Sequence, residues 1–419
     1  MTAITDTEAD NALIRLLLMP DDRRDPYPSY RDLQARAPVL RSGLGFIVLT
    51  RYDDCLATLR NPRLGRGAKG RATGELPQVA VLGTTLDEET RRQFFTRAGS
   101  SMLFADPPDH TRLRGLVSRA FTPQRVERLR PAVERLVAEH LDALPVGEEV
   151  DVMSALAFPL PVAVIGELVG VPASDRPRFQ PLVRAAAAGV EPAADADTLV
   201  AGIEAYDEMS GYFTELLAQR RREPADDLLT ALTHAREADD TLLDREIVGT
   251  AILLFAAGFE TTTNLIGNGL LALLQHPDQL ERWRHDPGLG VSGVEEILRY
   301  DSPVQINMRT ALEPAEVAGE VLEKGEVVLM FQGAANRDPG RFPAPEVFDV
   351  ARADNVPLSF GWGAHHCIGA ALARLEGQVL FRELLARFDV ELLVAEPERR
   401  PTLTLRGLAS LPVRLSERP

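Results

Sequence analysis

Apolar residues recur at three- and four-residue intervals through most of this chain, and the recurrence predicts a series of helices separated by short extended stretches. Helices are expected over 31–37, 51–59, 125–143, 151–168 and 199–221, with one more opening after the prolines at 107–108. Strands are expected at 45–49 and, as a small sheet, at 303–311, 316–319 and 325–331. The tail, 402–415, reads as a terminal hairpin whose tip reaches a pocket. The stretch 65–101 is rich in Gly, Thr and charge around an apolar island at 79–82, the pattern of a functional loop or lid. The longest helical pattern runs from 244 to about 274, and its middle, 250–259, is apolar on every side, so this helix is buried. Glu260, Thr261, Thr262, Thr263 and Asn264 follow at once, beside a helix-weakening Gly258. Polar groups in such a place are either a satisfied internal hydrogen-bond cluster or a functional irregularity, and the pattern alone leaves both open.

Near the C-terminus, Phe360-Gly361-Trp362-Gly363-Ala364-His365-His366-Cys367-Ile368-Gly369 runs directly into another helical segment. Its glycines allow a tight turn and close approach of backbone to a flat ligand, and the helix start offers free N–H groups that favour thiolate over thiol at Cys367. A lone cysteine is more often a small buried hydrophobe. Zinc would need further thiolates or paired histidines, and the other cysteine, Cys55, lies far upstream in what reads as an ordinary helix. His110 and Arg114 stand four apart on one predicted helix face, and Glu296 and Arg299 form an i, i+3 pair; by spacing alone both read as solvated surface.

With 419 residues and no long linker, the chain is expected to form one domain, 1–419, with a short flexible N-terminus over about 1–20. A composition of 45% hydrophobic and 26% charged residues suits a globular protein with an extensive core. The net charge of −16 argues against nucleic acid and anionic membrane as general partners. Two cysteines give no disulfide framework, and the apolar run 13–19 is short and interrupted by Arg15, which fits neither signal peptide nor anchor. A cytoplasmic, monomeric protein is expected.

The complete spacing Phe360-Gly361-x-Gly363-x-His365-x-Cys367-x-Gly369 resembles the haem-thiolate loop of the cytochrome P-450 family. Ala257-Gly258-Phe259-Glu260-Thr261 resembles that family's oxygen-activation motif, and Glu296-x-x-Arg299 followed by the Asn336-Arg337-Asp338-Pro339 segment ending at Arg352 resembles its Glu-x-x-Arg network. The matches run in family order from about 25 to 415, and the chain looks most like soluble actinobacterial members that tailor polyketides and other secondary metabolites.

The resemblance implies a mainly α fold with small β-sheets, a triangular α-rich prism around a buried haem b. It implies Cys367 as the iron ligand, with Phe360, Gly361 and Gly369 shaping its loop, and His110, Arg114, Arg309 and His365 on the haem propionates. Glu260 and Thr261 would deliver protons to dioxygen, and Glu296, Arg299 and Arg352 would be structural. By family position the pocket is lined by Val79, Leu82, Ala256, Ala257, Phe259, Ile306, Met308, Leu408 and Ala409, an apolar set suited to a hydrophobic substrate. Phe259 departs from the smaller residue many relatives carry there, and a ring facing the iron would narrow the pocket. The implied reaction is hydroxylation or epoxidation with O2 and two electrons, passed from NAD(P)H through a reductase and a ferredoxin. Arg112, Arg119, Arg125 and Arg374 could form a basic patch for that acidic partner, or be scattered solvated arginines. The alternatives are a peroxide-driven or isomerising haem-thiolate enzyme and a non-enzymatic haem ligand-binding protein; the acid–Thr pair argues against both.

Overall fold

The helix Asp244–Gln275 is the axis on which the other layers are packed. It opens where the Glu246 carboxylate accepts the Leu243 backbone N–H at 2.9 Å, and it stops before Pro277, which starts the next helix. Around it lie the helices Pro159–Val169, Ala196–Arg222, Gly290–Tyr300 and Ala370–Arg387. Pro159–Val169 is apolar except for the exposed Glu167, and nearly all of its residues are buried; Gly258 lets it approach, since a Cβ there would meet Ile165 at 3.1 Å. The computed structural model describes residues 7–67, 69–70, 87–99, 101–189, 191, 194–237 and 240–418.

The larger sheet has the order Val39–Arg41, Phe46–Leu49, Val327–Phe331, Ile306–Ala311, Leu64–Gly65. Val327–Phe331 is buried along its whole length because it lies mid-sheet, parallel to Phe46–Leu49 and antiparallel to Ile306–Ala311. Three apolar clusters result: one around the central helix, one between the sheet and the N-terminal helices, one on the other face of the sheet. The mainly α architecture with small sheets is therefore as the sequence implied. Among the described residues no helix is long and apolar enough to cross a membrane.

Several expectations are corrected. The N-terminus is not loose from Thr7 onward: Thr7–Leu18 is a helix whose Ala9, Ala12, Leu13, Leu16 and Leu17 are buried, a helical stripe that Arg15 does not interrupt because it points the other way. The 151–168 helix is divided at Phe158 into a π turn, Met153–Ala157, and Pro159–Val169. The tail is not a local hairpin. Pro412–Glu417 pairs with Phe388–Leu392 on one side and Glu149–Asp151 on the other, while 399–408 makes only isolated bridges, Arg399 to Leu408 and Leu405 to Val304. The Arg399–Leu408 bridge is local, but the strand pairings of Pro412–Glu417 are long-range and no local turn signal announces them.

Candidate active site

The loop before Ala370–Arg387 is folded by its own backbone. Gly361 and Gly363 adopt φ of 63° and 70°, which side chains disfavour, and a Cβ on Gly363 would sit 2.5 Å from the Leu59 carbonyl oxygen. Cys367 N–H donates to the Phe360 carbonyl at 2.9 Å, closing the loop into a ring that presents the sulfur. Arg374 lies over the Phe360 ring at 4.5 Å, and Arg60 over Trp362 at 4.9 Å. Cys367 retains accessible surface although it lies deep, so that surface opens onto interior space. Burial pushes its thiol up, and the Gly369 and Ala370 N–H groups with the charges of Arg114 and Arg374 only partly offset this. The helix start therefore favours thiolate, as expected from sequence, but burial outweighs it. A bound cation at the sulfur would reverse that balance.

A crowd of basic groups lies close to this loop. The His110 and His365 rings are 4.0 Å apart, and Arg114 donates to the His366 carbonyl at 2.6 Å. Arg309 is 2% exposed and donates to Asn307 Oδ1 at 2.6 Å; Arg66, which sequence reasoning missed, donates to the same oxygen at 3.2 Å. Burial, then the neighbouring arginines, hold His365 far below the usual histidine range. Burial and Arg114 lower His110, burial and Arg66 lower Arg309, and burial brings Arg66 down to about 10. Among the described residues the acid that acts on this cluster is Asp106, whose two oxygens accept the Arg66 and Gly67 backbone N–H groups at 2.6 and 2.8 Å. Such an excess of buried donors calls for a dianion. The two propionates of a haem fit it, as the presented sulfur fits the iron.

The third part is a strip on the central helix. Between Ile247 and Leu273 every residue is buried except Leu253, Ala256, Ala257, Gly258 and Thr261. Leu253, Ala257 and Thr261 are four apart, so they open one face of an otherwise sealed helix. Thr261 Oγ1 donates to the Ala257 carbonyl at 2.8 Å and Thr262 Oγ1 to Gly258 at 2.8 Å, back-bonding that holds the hydroxyls in place without breaking the helix. Glu260 is turned a third of a turn away, ion-paired with Arg400, and its Oε2 is buried without a partner. It borders a cavity of about 320 Å³ between Phe179–Ala188 and the C-terminal segment, together with Arg184, Glu191, Arg400 and Ala409.

The pocket residues inferred by family position divide accordingly. Ala256 and Ala257 belong to the open strip, Met308 is half-buried, and Ala409 lines the cavity. Phe259 and Leu408 are both 0% exposed: the Phe259 ring packs edge-on against Phe158 at 5.0 Å, because helical geometry turns it away from the Ala257–Thr261 strip. It does not narrow the pocket. Ile306 is buried in the cluster under the sheet. Val79 and Leu82 lie outside the described residues.

Behind the loop, Glu296 is fully buried and receives Arg299 at 2.7 and 2.8 Å, Arg352 at 3.1 and 3.2 Å, Asp349 N–H at 2.8 Å and Asn355 at 3.0 Å. Arg299 also donates to the Asn336 carbonyl at 3.1 Å, and the Asn336 side chain accepts Leu358 N–H at 2.7 Å and bonds Ser359 at 2.9 Å. The trio is thus not a surface pair; it positions the entrance to the cysteine loop. Of the arginines considered for a docking patch, Arg112 is ion-paired with Asp240 and Glu246, Arg125 with Asp226 and Arg374 with Glu295. Their charge is largely answered within the chain.

Comparison with known proteins agrees with this geometry. The family model described as Cytochrome P450 matches residues 201–286 and 292–416. The chain is 42% identical to Cytochrome P450 107B1 of Saccharopolyspora erythraea over 94% of this chain and 95% of that one. It is 39% identical to 6-deoxyerythronolide B hydroxylase of the same organism over 99% and 100%. Among solved structures it is similar to P450BioI in complex with hexadec-9Z-enoic acid ligated acyl carrier protein, with a TM-score of 0.85, 35% identity and coverage of 95% and 99%.

Proposed function

Since this chain belongs to the cytochrome P450 family and is a haem monooxygenase, we propose that it hydroxylates or epoxidises an apolar small molecule in a secondary-metabolite pathway, with electrons supplied by a ferredoxin. The observation that carries this reading is the conjunction of a presented cysteine sulfur, a cluster of basic side chains beside it, and one open strip on a sealed helix. Relatives named 6-deoxyerythronolide B hydroxylase and Polyketide biosynthesis cytochrome P450 PksS support the substrate class.

Cys367 would bind the iron, and His110, Arg114, Arg309, His365 and Arg66 would neutralise the propionates. Bound there, the haem supplies activation of O2 and transfer of one oxygen atom to a C–H or C=C bond. The protein's part is to hold the substrate against the Leu253–Ala257–Thr261 strip, whose small apolar surface admits it while the rest of the helix excludes water. Thr261 Oγ1, parked on the Ala257 carbonyl, holds a proton at the edge of that space and can turn to offer it. Glu260 is the adjacent carboxylate. Its Oε1 is tied to Arg400, which leaves Oε2 as the atom that takes up a proton and passes it on.

The test is the absorption spectrum of the purified holoprotein, oxidised and then reduced under CO, followed by titration with hydrophobic metabolites. A thiolate-type CO band that is lost in Cys367→Ser supports the assignment. A histidine-type band in the unaltered protein overturns it.

A further inference from the structure

The cavity beside Glu260 has more guanidinium donors than the protein uses. Glu191, on its wall, is capped by the backbone N–H groups of Leu403, Thr404 and Leu405 at 2.9 to 3.3 Å. Glu260 is engaged by one terminal nitrogen of Arg400, whose other N–H groups carry no hydrogen bond among the described residues. Arg184, on the helix Phe179–Ala188, makes no hydrogen bond or salt bridge to a carboxylate there; its guanidinium stands 5.5 Å from the Phe158 ring centroid, over the face of the ring. Two arginines therefore share one cavity: burial and then Arg400 lower the Arg184 pKa, and the charge of Glu260 partly offsets them. Each acid on the wall is already matched, so a negative group entering between Arg184 and Arg400 meets unspent donors. The remaining wall, Ala187, Ala188, Leu405 and Ala409, is apolar.

We propose that this cavity recognises the carboxylate end of an apolar substrate, held by Arg184 with the spare N–H groups of Arg400. Guanidinium suits this role because its planar fork matches both carboxylate oxygens. The assignment rests on the monooxygenase reading, with the Ala257–Thr261 strip as the reacting end: Glu260, on the cavity wall, is next to Thr261 in sequence, so a chain anchored at Arg184 lies along the flank of the helix that bears the strip. The substrate class is then a monocarboxylic acid, not a neutral alcohol or ester of the same length.

The experiment is calorimetric titration of the full-length holoprotein with dodecanoate, methyl dodecanoate and dodecan-1-ol, beside the Arg184→Gln and Arg184→Lys variants. Dodecanoate is expected to bind about fivefold or more tightly than the alcohol and the ester, a modest factor because Arg184 is exposed. Arg184→Gln should abolish that preference and Arg184→Lys, which keeps the charge but loses the fork, retain part of it, which also shows that the variant site is folded. Equal affinity for acid and alcohol, no binding of dodecanoate, or a preference that survives Arg184→Gln overturns the proposal. The CO spectrum of the same samples separates the two readings. A thiolate band without acid preference removes the subsite and leaves the monooxygenase, whereas acid preference without a thiolate band keeps the subsite and removes the chemistry assigned beside it.

Discussion

Replacing Glu296 by Gln keeps the shape of the side chain and deletes one charge. Six contacts converge on that carboxylate, from Arg299, Arg352, Asp349 N–H and Asn355. In Glu296→Gln the Arg299 guanidinium, 0% exposed, faces no anion, and the new amide N–H groups point at donors. Breaking one side of a buried pair costs about 3–5 kcal/mol, a large share of the roughly 5–15 kcal/mol that separates native from unfolded chains. At an unfolding entropy of about 2.1 cal/mol/K per residue, this 419-residue chain shifts by about 1 °C per kcal/mol, so the melting midpoint falls by about 3–6 °C. The damage does not stay local, because Arg299 holds the Asn336 carbonyl and Asn336 holds Leu358 and Ser359, the start of the cysteine loop. Thermal unfolding at a fixed scan rate, with the haem-to-protein ratio measured on the same preparation, should show both a lower midpoint and less bound haem. A midpoint within about 2 °C of the unaltered protein with full haem content would refute the argument that this trio positions the loop.

Other outcomes follow from the same geometry. Thr261→Ala should lower product formed per NAD(P)H consumed by about tenfold and raise peroxide release, with Thr261→Ser largely restoring coupling; unchanged coupling in Thr261→Ala counts against its proton role. Arg309→Gln should release haem to an acceptor globin about tenfold or more faster, the scale of hydrogen bonds to a charged group, and equal release rates would remove Arg309 from the propionate set. Glu376 is 2% exposed, its Oε2 has no partner, and burial raises its pKa well above the usual range. The unfolded chain ionises at lower pH than the folded one, so this group subtracts stability as pH rises from about 4.5 to its folded pKa, at up to about 1.4 kcal/mol per pH unit. The midpoint of Glu376→Gln, relative to the unaltered protein, should therefore be higher at pH 8 than at pH 5; an identical difference at both values would contradict a buried neutral carboxyl.

Local spacing made the chemistry readable before the fold was. The cysteine loop, the acid–Thr pair and Glu296-x-x-Arg299 each lie within ten residues, and their geometry is fixed by one turn or one helix. What spacing could not give was direction within a helix apolar on all sides. Phe259 and Thr261 are two residues apart, and only the packing of Phe158 and Pro159–Val169 decides that one is sealed and the other open. Arg66 escaped notice because it sits in an irregular stretch with no period to read, and is brought to His365 by pairing of Leu64–Gly65 with Ile306–Ala311. The tail was misread for the same reason, its partner strands being at 149–151 and 388–392. The Glu260–Arg400 pair joins residues 140 apart and left no sequence signal.

The narrowness of the open strip on the central helix has an evolutionary consequence. Of the residues from Ile247 to Leu273, only Leu253, Ala256, Ala257, Gly258 and Thr261 are less than fully buried. Gly258 is held by Ile165, and Thr261 by its chemistry. Divergence toward a new substrate is thereby channelled on this helix into Leu253, Ala256 and Ala257, three positions where a duplicated gene can explore side-chain size without first spending its stability. A saturation library confined to those positions would sample most of what lineage drift can reach there.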